Sequence, residues 1–396
     1  MRQDMRSILA SVFYLLCSFS VLTLCIGLNS TLLGVRATIE HFSPLTIGLM
    51  MSSYYSGFIV GSHFIEKLIH RVGHIRTFCA IGATLSIVTL LYICWIHPVP
   101  WILLRFFHGV LISGGYMVIE SWLNGLASKE NRGRIMSIYL ILNSLGLACG
   151  QLFFKLSDGS GFILFATSSM LASLCVLPLI LSNTKQPEYT GSVDLLPFKT
   201  LFKLSPLAVI GALCMGLVNG AFFGLCAPTL LHQHLSASDV SQFIAAAFLG
   251  GLFLQWPLGS LSDRINRRVV LFISALLAAA SAFAVSQLTL NASDHYHLLL
   301  LCGLLYGGFC FPIYSLLIAL ANDRLEAGMY VRASRALLSL NGLGAIIGPL
   351  VASAIVQSFG DAGLFAYIAL VFFTLSMISL TRMIFGPKLP RKTLTH

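Results

Sequence analysis

Charged residues are scarce in this 396-residue chain. Asp, Glu, Lys and Arg together make up only 10% of it, whereas hydrophobic residues make up 57% and the mean hydropathy is +0.88. A soluble domain carries roughly a quarter charged residues. So few charges cannot solvate the surfaces of the two soluble domains that this length could otherwise form. The composition therefore excludes an ordinary soluble protein and indicates an integral membrane protein.

Motifs of the common enzymes are missing as well. The sequence has no HExxH, P-loop, GxSxG or dinucleotide-binding glycine motif and no CxxC. We therefore predict neither an enzyme nor a cofactor, and an ATP-driven pump is not indicated. The ten cysteines all fall in apolar stretches, where small apolar filler is their expected role. Two histidine pairs, 232/234 and 295/297, resemble ordinary loop histidines, so no metal site is predicted.

Long apolar runs are what the chain does contain. A run of 18 or more such residues predicts a transmembrane helix. The first run is longer than a signal-peptide core and no small-x-small cleavage site follows it, so we expect it to be retained. The predicted fold is all-α, with twelve spans at 7–33, 44–66, 77–96, 99–126, 134–156, 161–182, 206–231, 240–261, 269–290, 297–321, 335–357 and 361–384.

The distribution of lysine and arginine predicts the orientation. With the N-terminus placed inside, all but three of the 24 basic residues fall at the cytoplasmic end, and the exceptions are Arg36, Arg105 and Lys155. Cytoplasmic loops are the ones that carry an excess of Lys and Arg. We predict a multi-pass protein of the cytoplasmic (inner) membrane with both termini in the cytoplasm. Because the +10 charge is spread over several turns, it does not indicate nucleic-acid binding.

The two halves of the chain repeat each other. The polar segment 184–205 separates an N-terminal unit, 1–183, from a C-terminal unit, 206–396. LILNSLGLACG at 140–150 aligns with LSLNGLGAIIG at 338–348, and both stretches lie in the fifth span of their half. Parallel repeats of six helices are an architecture of carriers in which one half rocks against the other. We predict two pseudo-symmetric six-helix bundles with a site between them.

One loop supplies a family resemblance. GSLSDRINRR at 259–268 follows the pattern G-x-L-S-D-R-x-x-R-R at the turn between spans eight and nine. It resembles the loop signature of the major facilitator superfamily (MFS). The twelve predicted spans and the duplication extend this resemblance to essentially the whole chain. The turn between spans two and three carries an altered copy, GSHFIEKLIHRVGHIR at 61–76, and Arg105-x-x-x-Gly109 is similar to the fourth-span motif.

The resemblance implies secondary transport, with these loops acting as latches at the cytoplasmic ends. The residues that the resemblance assigns to the latch are Gly259, Asp263, Arg264, Arg267 and Arg268, together with Glu66 and Arg71 in the altered copy. We expect Gly259 to allow close helix packing and Asp263 to lie at the N-terminus of the next helix. The alternative is that such loops only assist insertion and orientation.

The glycine-proline motif of many antiporters in this family is incomplete here. Gly146 and Gly150 are followed by Gln151 in span five, and Gly348-Pro349 occurs in span eleven instead. Close helix packing is the simpler interpretation of both stretches. The direction of transport is therefore not indicated.

Two ionisable residues in the fourth span are candidates for coupling, because charges inside a membrane are functional by default. Arg105 and Glu120 lie ~22 Å apart along an ideal helix, too far to pair directly. Arg105 either extends to the headgroups or is buried. Glu120 suits reversible protonation in low-dielectric surroundings. The alternative is a structural acid that anchors either the turn that contains Arg132 and Arg134 or the opposing cytoplasmic latch.

The candidates for solute contact are uncharged. A mixture of amide and aromatic side chains suits a small, partly apolar organic solute, although each of these residues has packing as its alternative role. The candidates are Asn29, Tyr54, Tyr55, Tyr116, Asn143, Asn219, Phe222, Phe223, Gln255, Tyr314 and Asn341.

The predicted function is secondary active transport of such a solute by a monomer whose partners are the solute and the lipid bilayer, with protons as the hypothesised coupling ion. A transport-inactive receptor or scaffold with the same fold is the alternative.

Overall fold

The computed structural model of the protein describes residues 5–126, 131–181, 196–292, 294–325 and 329–385, and this part of the chain is helical with no strands. Its helices are α1 (Met5–Ile39), α2 (Pro44–Val72), α3 (His74–Cys94), α4 (Pro98–Leu126), α5 (Arg132–Gly150), α6 (Ile163–Leu174), α7 (Leu177–Ile180), α8 (Phe198–Leu204), α9 (Pro206–His232), α10 (Ala237–Arg264), α11 (Arg267–Leu288), α12 (Tyr296–Cys310), α13 (Pro312–Asn322), α14 (Tyr330–Phe359) and α15 (Ala362–Phe385).

The predicted spans correspond to these helices, with two of them broken. In the described part, eleven segments are long and apolar enough to cross a membrane. Helix α2 is also long enough, at 29 residues, but its apolar residues are interspersed with serine and tyrosine. The sixth span consists of α6 and α7, and the tenth consists of α12 and α13, where Pro178 and Pro312 begin new helical turns. Proline has no N–H for the preceding turn, which explains both breaks.

Three short features lie outside this pattern. A 3₁₀ turn, Gln151–Lys155, extends α5, a second one, Thr289–Asn291, follows α11, and α8 occupies part of the predicted linker. Residues 184–195 of that linker and the predicted cytoplasmic tail beyond residue 385 lie outside the described residues. The division of the chain into units at 183 and 206 stays a prediction.

The helices of the two halves pair in the same way. In the first half α1 packs on α5, α2 on α4 and α3 on α6, and in the second half α9 packs on α14, α10 on α12 and α11 on α15. These are the same partners when the spans of each half are numbered in order. The structure thus forms two pseudo-symmetric bundles, as the repeated sequence predicts.

Glycines set the distance between the paired helices. A Cβ atom at Gly150 would lie 2.5 Å from the backbone oxygen of Leu24 on α1, and one at Gly348 would collide with the backbone of Leu217 on α9. Both positions therefore require glycine for backbones to approach this closely. The packing interpretation of the two aligned glycine stretches is confirmed.

The halves contact each other at one end of the bundle. We call the end where α1 finishes and α2 starts the distal end, and the end that holds residues 5 and 385 the terminal end. On the distal side, Ser52 Oγ donates to the carbonyl oxygen of Ile346 at 2.6 Å, and a Cβ at Gly48 would lie 2.7 Å from Ser353 Oγ. Helix α2 thus closes against α14 at the distal end.

Candidate proton and solute site

Glu120 forms the centre of a polar group between α4 and α5. Tyr139 OH donates to Glu120 Oε1 at 2.5 Å, and Asn124 Nδ2 donates to the Glu120 backbone oxygen at 2.8 Å. The Glu120 side chain is partly exposed, although the helix that carries it is largely buried. Within the described part of the chain, no cationic side chain lies within 4.0 Å of its carboxylate.

The alternative role for Glu120, anchoring the turn with Arg132 and Arg134, has no support from Arg134. That arginine forms no ion pair with Glu120, and the side chain of Arg132 lies outside the described residues. The carboxyl group is instead held by a neutral phenol. A membrane-embedded carboxyl group with such a partner can exist either protonated or ionised without breaking an ion pair.

Aromatic rings connect the surroundings of Glu120 to those of Arg105. Tyr139 stacks on Phe19 with ring centroids 4.4 Å apart, and Phe19 meets Tyr116 at 5.8 Å. Tyr116 and Tyr54 both contact Phe58, each with centroids 6.4 Å apart. These five side chains, Phe19, Tyr54, Phe58, Tyr116 and Tyr139, form what we call the aromatic wall.

Amide and hydroxyl groups accompany the aromatic wall. Tyr116 OH donates to Asn143 Oδ1 at 2.9 Å, which joins two of the predicted solute candidates. Both side chains are partly exposed, as are Tyr54 and Tyr55. The wall therefore offers apolar faces together with accessible hydrogen-bonding groups on one side of the first half.

Arg105 is buried at the distal end of this wall. Its side chain is only 4% exposed, its guanidinium carbon lies 4.7 Å from the centre of the Tyr54 ring, and Nη2 donates to the sulfur of Met51 at 3.2 Å. A cation over an aromatic face is attracted by the ring quadrupole. Of the two predicted placements, the structure shows the buried one and not an extended side chain at the headgroups. Arg105 and Glu120 do not pair, as predicted.

His108 and Tyr92 complete the surroundings of Arg105. His108 is 2% exposed, and its ring centroid lies 6.1 Å from that of Tyr54 and 6.3 Å from that of Tyr92. Within the described residues, His108 Nδ1 is buried and has no hydrogen-bond partner, and the Tyr92 hydroxyl is buried beside the Arg105 guanidinium. The region around Arg105 thus holds a buried histidine nitrogen that the described residues do not satisfy.

The candidates of the second half are more dispersed. Gln255 Nε2 donates to Ser315 Oγ at 3.0 Å, and Asn341 Nδ2 donates to the backbone oxygen of Ala212 at 3.3 Å. Tyr314 packs between two hydrophobic clusters. The side-chain oxygen of Asn219 is buried and has no hydrogen-bond partner among the described residues. An acceptor in this condition is suited to a donor group of a bound solute.

Two solute candidates are buried in the structure, and their contact with a solute stays a prediction. Asn29 is 1% exposed, and its Nδ2 donates to Ser168 Oγ at 2.5 Å, so its amide joins α1 to α6. Phe222 is also 1% exposed and packs against Tyr306 and Phe365 in the core. Phe223, its neighbour, stacks on Phe248 with centroids 5.7 Å apart. Both side chains lie among helices of their own half, and the side-chain oxygen of Asn29, like that of Asn219, is buried and has no hydrogen-bond partner among the described residues.

The clean loop motif forms a network around Arg267. Arg267 Nη2 donates to Asp263 Oδ1 and Nε donates to Asp323 Oδ2, both at 2.7 Å, while Nη1 donates to Ser262 Oγ at 3.0 Å. Arg268 is buried, and its Nη1 donates to the backbone oxygen of Arg382 at 2.6 Å. The network therefore ties α10, α11, α13 and α15 together within the second half.

One expectation about the latch residues is wrong. Gly259 does not allow a close helix contact here, because no atom outside its own helix lies within 4 Å of a Cβ built on it. Asp263 lies beside the start of α11, because its carboxylate accepts from the side chain of Arg267, the first residue of that helix, while Asn266 accepts from the Arg268 N–H as the helix cap. Glu66 and Arg71 form no ion pair among the described residues, and their role in the latch stays a prediction.

Comparison with known proteins decides the family. A sequence model described as Major Facilitator Superfamily matches residues 14–229 and, again, residues 210–395. The chain belongs to the major facilitator superfamily.

Relatives within this family are similar along nearly the whole chain. An uncharacterised MFS-type transporter of Enterobacter sp. (strain 638) is 28% identical over 366 residues, which cover 91% of this chain and 93% of that protein. The uncharacterised MFS-type transporter YcaD of Salmonella typhimurium is 27% identical over 372 residues, with the same coverage of both chains. The MFS protein described here is thus a multi-pass membrane protein of a transporter family.

Solved MFS structures share the fold. The nucleoside transporter NupG superposes with a TM-score of 0.74 at 14% identity, covering 94% of this chain and 99% of that one. A D-xylose–proton symporter gives a TM-score of 0.74, also at 14% identity, covering 97% and 100%. Identities this low relate the folds alone.

Three polar residues with defined partners were not among the candidates predicted from the sequence. Tyr139, the partner of Glu120, and Asp323, the second partner of Arg267, are separated from those partners by 19 and 56 positions. Gln151 is fully buried, donates to the Gly27 backbone oxygen at 2.7 Å and accepts from a threonine of α1. A polar residue in an apolar run was the available signal, but a single sequence does not show which partner it faces.

Proposed function

We propose that the protein is a proton-coupled secondary transporter that moves a small, partly apolar organic solute across the cytoplasmic membrane by alternating access. In this proposal both termini lie in the cytoplasm, one chain suffices, and Glu120 carries the coupling proton. The observation that carries the proposal is the environment of Glu120, a partly exposed carboxyl group inside a helical bundle whose side-chain partner is the Tyr139 hydroxyl.

The chemistry of this pair favours reversible protonation. The Tyr139 hydroxyl donates to an ionised carboxylate, and the same hydroxyl accepts from a protonated carboxyl group. Neither state leaves a buried cation without its partner, which would be costly. The site can therefore exchange a proton while the fold around it stays the same.

The aromatic wall supports the proposed class of solute. Tyr54 and Tyr116 supply ring faces, while Asn143 and the unsatisfied oxygen of Asn219 supply a small number of polar groups. Sites for small organic molecules are typically apolar with a few convergent hydrogen-bonding groups. Arg105 has a π contact and a sulfur contact in the structure and is positioned to gain a partner from a solute that carries a partial negative charge.

Closure at the distal end supports alternating access. Ser52 and Gly48 hold α2 against α14 there, whereas Gly259, near the terminal end, faces open space. With the predicted orientation, this arrangement corresponds to a state closed toward the outside. Transport then requires the distal contacts to open and the terminal ends to approach each other.

The test begins with identification of a solute and ends with a coupling measurement. Purified protein is screened for thermal stabilisation by a library of metabolites and drugs, because a ligand at 100 times its dissociation constant stabilises by ~2.7 kcal/mol. The hit is then used in proteoliposomes to measure accumulation driven by a pH gradient and counterflow without a gradient. Glu120→Gln should lose accumulation and retain counterflow, because the amide resembles the protonated carboxyl group.

A matched control is available in the same half. Glu40 forms an ion pair with Arg36 at 2.6 Å at the distal end of α1. Glu40→Gln should leave the ratio of accumulation to counterflow unchanged. Accumulation by Glu120→Gln at the wild-type level would refute the coupling role. A complete absence of stabilising solutes and of counterflow would instead favour the receptor or scaffold.

A further inference from the structure

Arg105 is a buried cation whose contacts are neutral. Its guanidinium donates to the Met51 sulfur at 3.2 Å and lies 4.7 Å from the centre of the Tyr54 ring, and the Tyr92 hydroxyl lies beside it. Within the described part of the chain, no carboxylate oxygen lies within 4.0 Å of its nitrogens. A charged side chain inside a membrane protein normally has a partner, often of opposite charge. The neighbours of Arg105 therefore leave its positive charge uncompensated.

The acid on the same helix is too far away to supply the missing negative charge. Glu120 lies ~22 Å from Arg105 along an ideal α4, and its carboxylate accepts from Tyr139. Arg105 itself lies about 10 Å along the axis from the distal start of α4, inside the span. Arg36, at the distal end of α1, shows the compensated arrangement, because Glu40 binds it at 2.6 Å. Arg105 thus differs from Arg36 in having no anion beside it.

Met51 lies between Arg105 and the second half of the protein. A Cβ at Gly224 on α9 would lie 2.9 Å from Met51 Cγ, so this side chain fills the space between the two halves. Its neighbour Ser52 makes the distal contact with α14. A thioether sulfur is only a weak, neutral acceptor. Met51 therefore covers Arg105 without neutralising it, and it does so at a contact that must change when the distal end opens.

We propose that Arg105 binds the carboxylate group of the transported solute, which replaces the Met51 sulfur as its acceptor. The inference rests on the proposed function, because it assigns the solute of that function to the monocarboxylates. A planar guanidinium fork matches the two oxygens of a carboxylate, and one cation among neutral neighbours matches one negative charge. The aromatic wall, which reaches Arg105 through Tyr54, is suited to the apolar remainder of such a solute. The unsatisfied Nδ1 of His108, whose ring also contacts Tyr54, offers a further polar group.

The test compares carboxylates with their own amides. Hexanoate, benzoate and phenylacetate, each beside the corresponding primary amide at equal ionic strength, are titrated into the purified full chain in detergent, and the Kd is obtained from the thermal stabilisation. We expect at least one acid to bind the wild type roughly tenfold more tightly than its amide, because charge-assisted hydrogen bonds are the stronger ones. Arg105→Gln should remove this preference. Arg105→Lys, which keeps the charge and loses the planar fork, should retain part of it.

Two further variants separate this site from a general attraction of anions to a basic protein. Arg36→Gln removes a cation that Glu40 already compensates, so the ratio of acid to amide affinity should stay within about twofold of the wild type. Met51→Leu keeps the side-chain volume and removes the competing sulfur. It should tighten binding of the acid and leave binding of the amide unchanged, and it provides the test if Arg105→Gln fails to fold.

The outcomes distinguish this proposal from the proposed coupling. The carboxylate assignment is overturned if no acid binds the wild type better than its amide, if the preference survives Arg105→Gln, or if Arg36→Gln reduces it equally. Glu120→Gln should preserve the preference for the acid, since its effect is on accumulation. A neutral solute that accumulates in the wild type and not in Glu120→Gln would support proton coupling and overturn the carboxylate assignment.

Discussion

Asp323→Asn should destabilise the protein clearly more than Asp263→Asn, although only Asp263 belongs to the loop motif. Both carboxylates accept from Arg267 at 2.7 Å. Their surroundings differ, because the Asp263 side chain is 68% exposed and the Asp323 side chain is 17% exposed, against 13% for Arg267 itself. The shielded pair is screened less by water and salt, and therefore contributes more.

The expected magnitudes follow from these exposures. An exposed ion pair contributes about 0–1 kcal/mol. A hydrogen bond to a charged group contributes about 1.5–3 kcal/mol. Asparagine retains an acceptor oxygen for the guanidinium, so Asp323→Asn removes mainly the charge, and we expect a loss of about 1–2 kcal/mol. For Asp263→Asn we expect a loss of less than about 0.5 kcal/mol.

Unfolding by SDS titration in mixed micelles measures this difference without a known solute. Each variant is also combined with Arg267→Gln, because a double-mutant cycle isolates the interaction between the two positions. Arg264→Gln is the control, since Arg264 is exposed at the same turn and forms none of the ion pairs of the described residues. Equal losses for the two aspartates, or a larger loss for Asp263→Asn, would refute the assignment of Asp323 as the main partner.

Three further predictions concern packing, buried polar groups and orientation. Gly150→Ala should destabilise the protein by about 1–3 kcal/mol, because its Cβ would meet backbone atoms of α1. Gly259→Ala should stabilise it by up to about 1 kcal/mol, since its Cβ would meet open space within a helix. The same SDS titration measures both variants, and equal effects would contradict the packing argument. Gln151→Leu should lower the free energy of unfolding by about 1–3 kcal/mol, because it leaves buried polar groups of α1 unsatisfied. A stability equal to that of the wild type would show that water replaces the amide. Single cysteines that replace Ser236 or Lys199, in a background without exposed native cysteines, test the orientation with an impermeant thiol reagent in intact cells. Only the cysteine at position 236 should be labelled, and labelling at position 199 would reverse the predicted orientation.

The apolar runs, the basic turns and the internal repeat determine the architecture from sequence. Hydrophobic length predicts helices because every backbone group in a bilayer must be satisfied within the segment. The repeated glycines at 146–150 and 344–348 even predict which crossings are tight, because only glycine admits backbone atoms at such short distances. These properties are local, so a single sequence carries them.

Partners across helices depend on the tertiary structure. Glu120 is recognisable as an intramembrane acid, but the rotation of α4 against α5 decides that it meets Tyr139 and not a basic turn. The same holds for Asn29, whose amide nitrogen bonds to Ser168 on α6. Arg267 shows this most clearly, because the loop motif supplies its exposed partner Asp263, whereas helix packing supplies its shielded partner Asp323 from 56 residues away. Side-chain contacts between helices follow from crossing angles and rotations that the packing of all the helices sets together, and no local pattern encodes them.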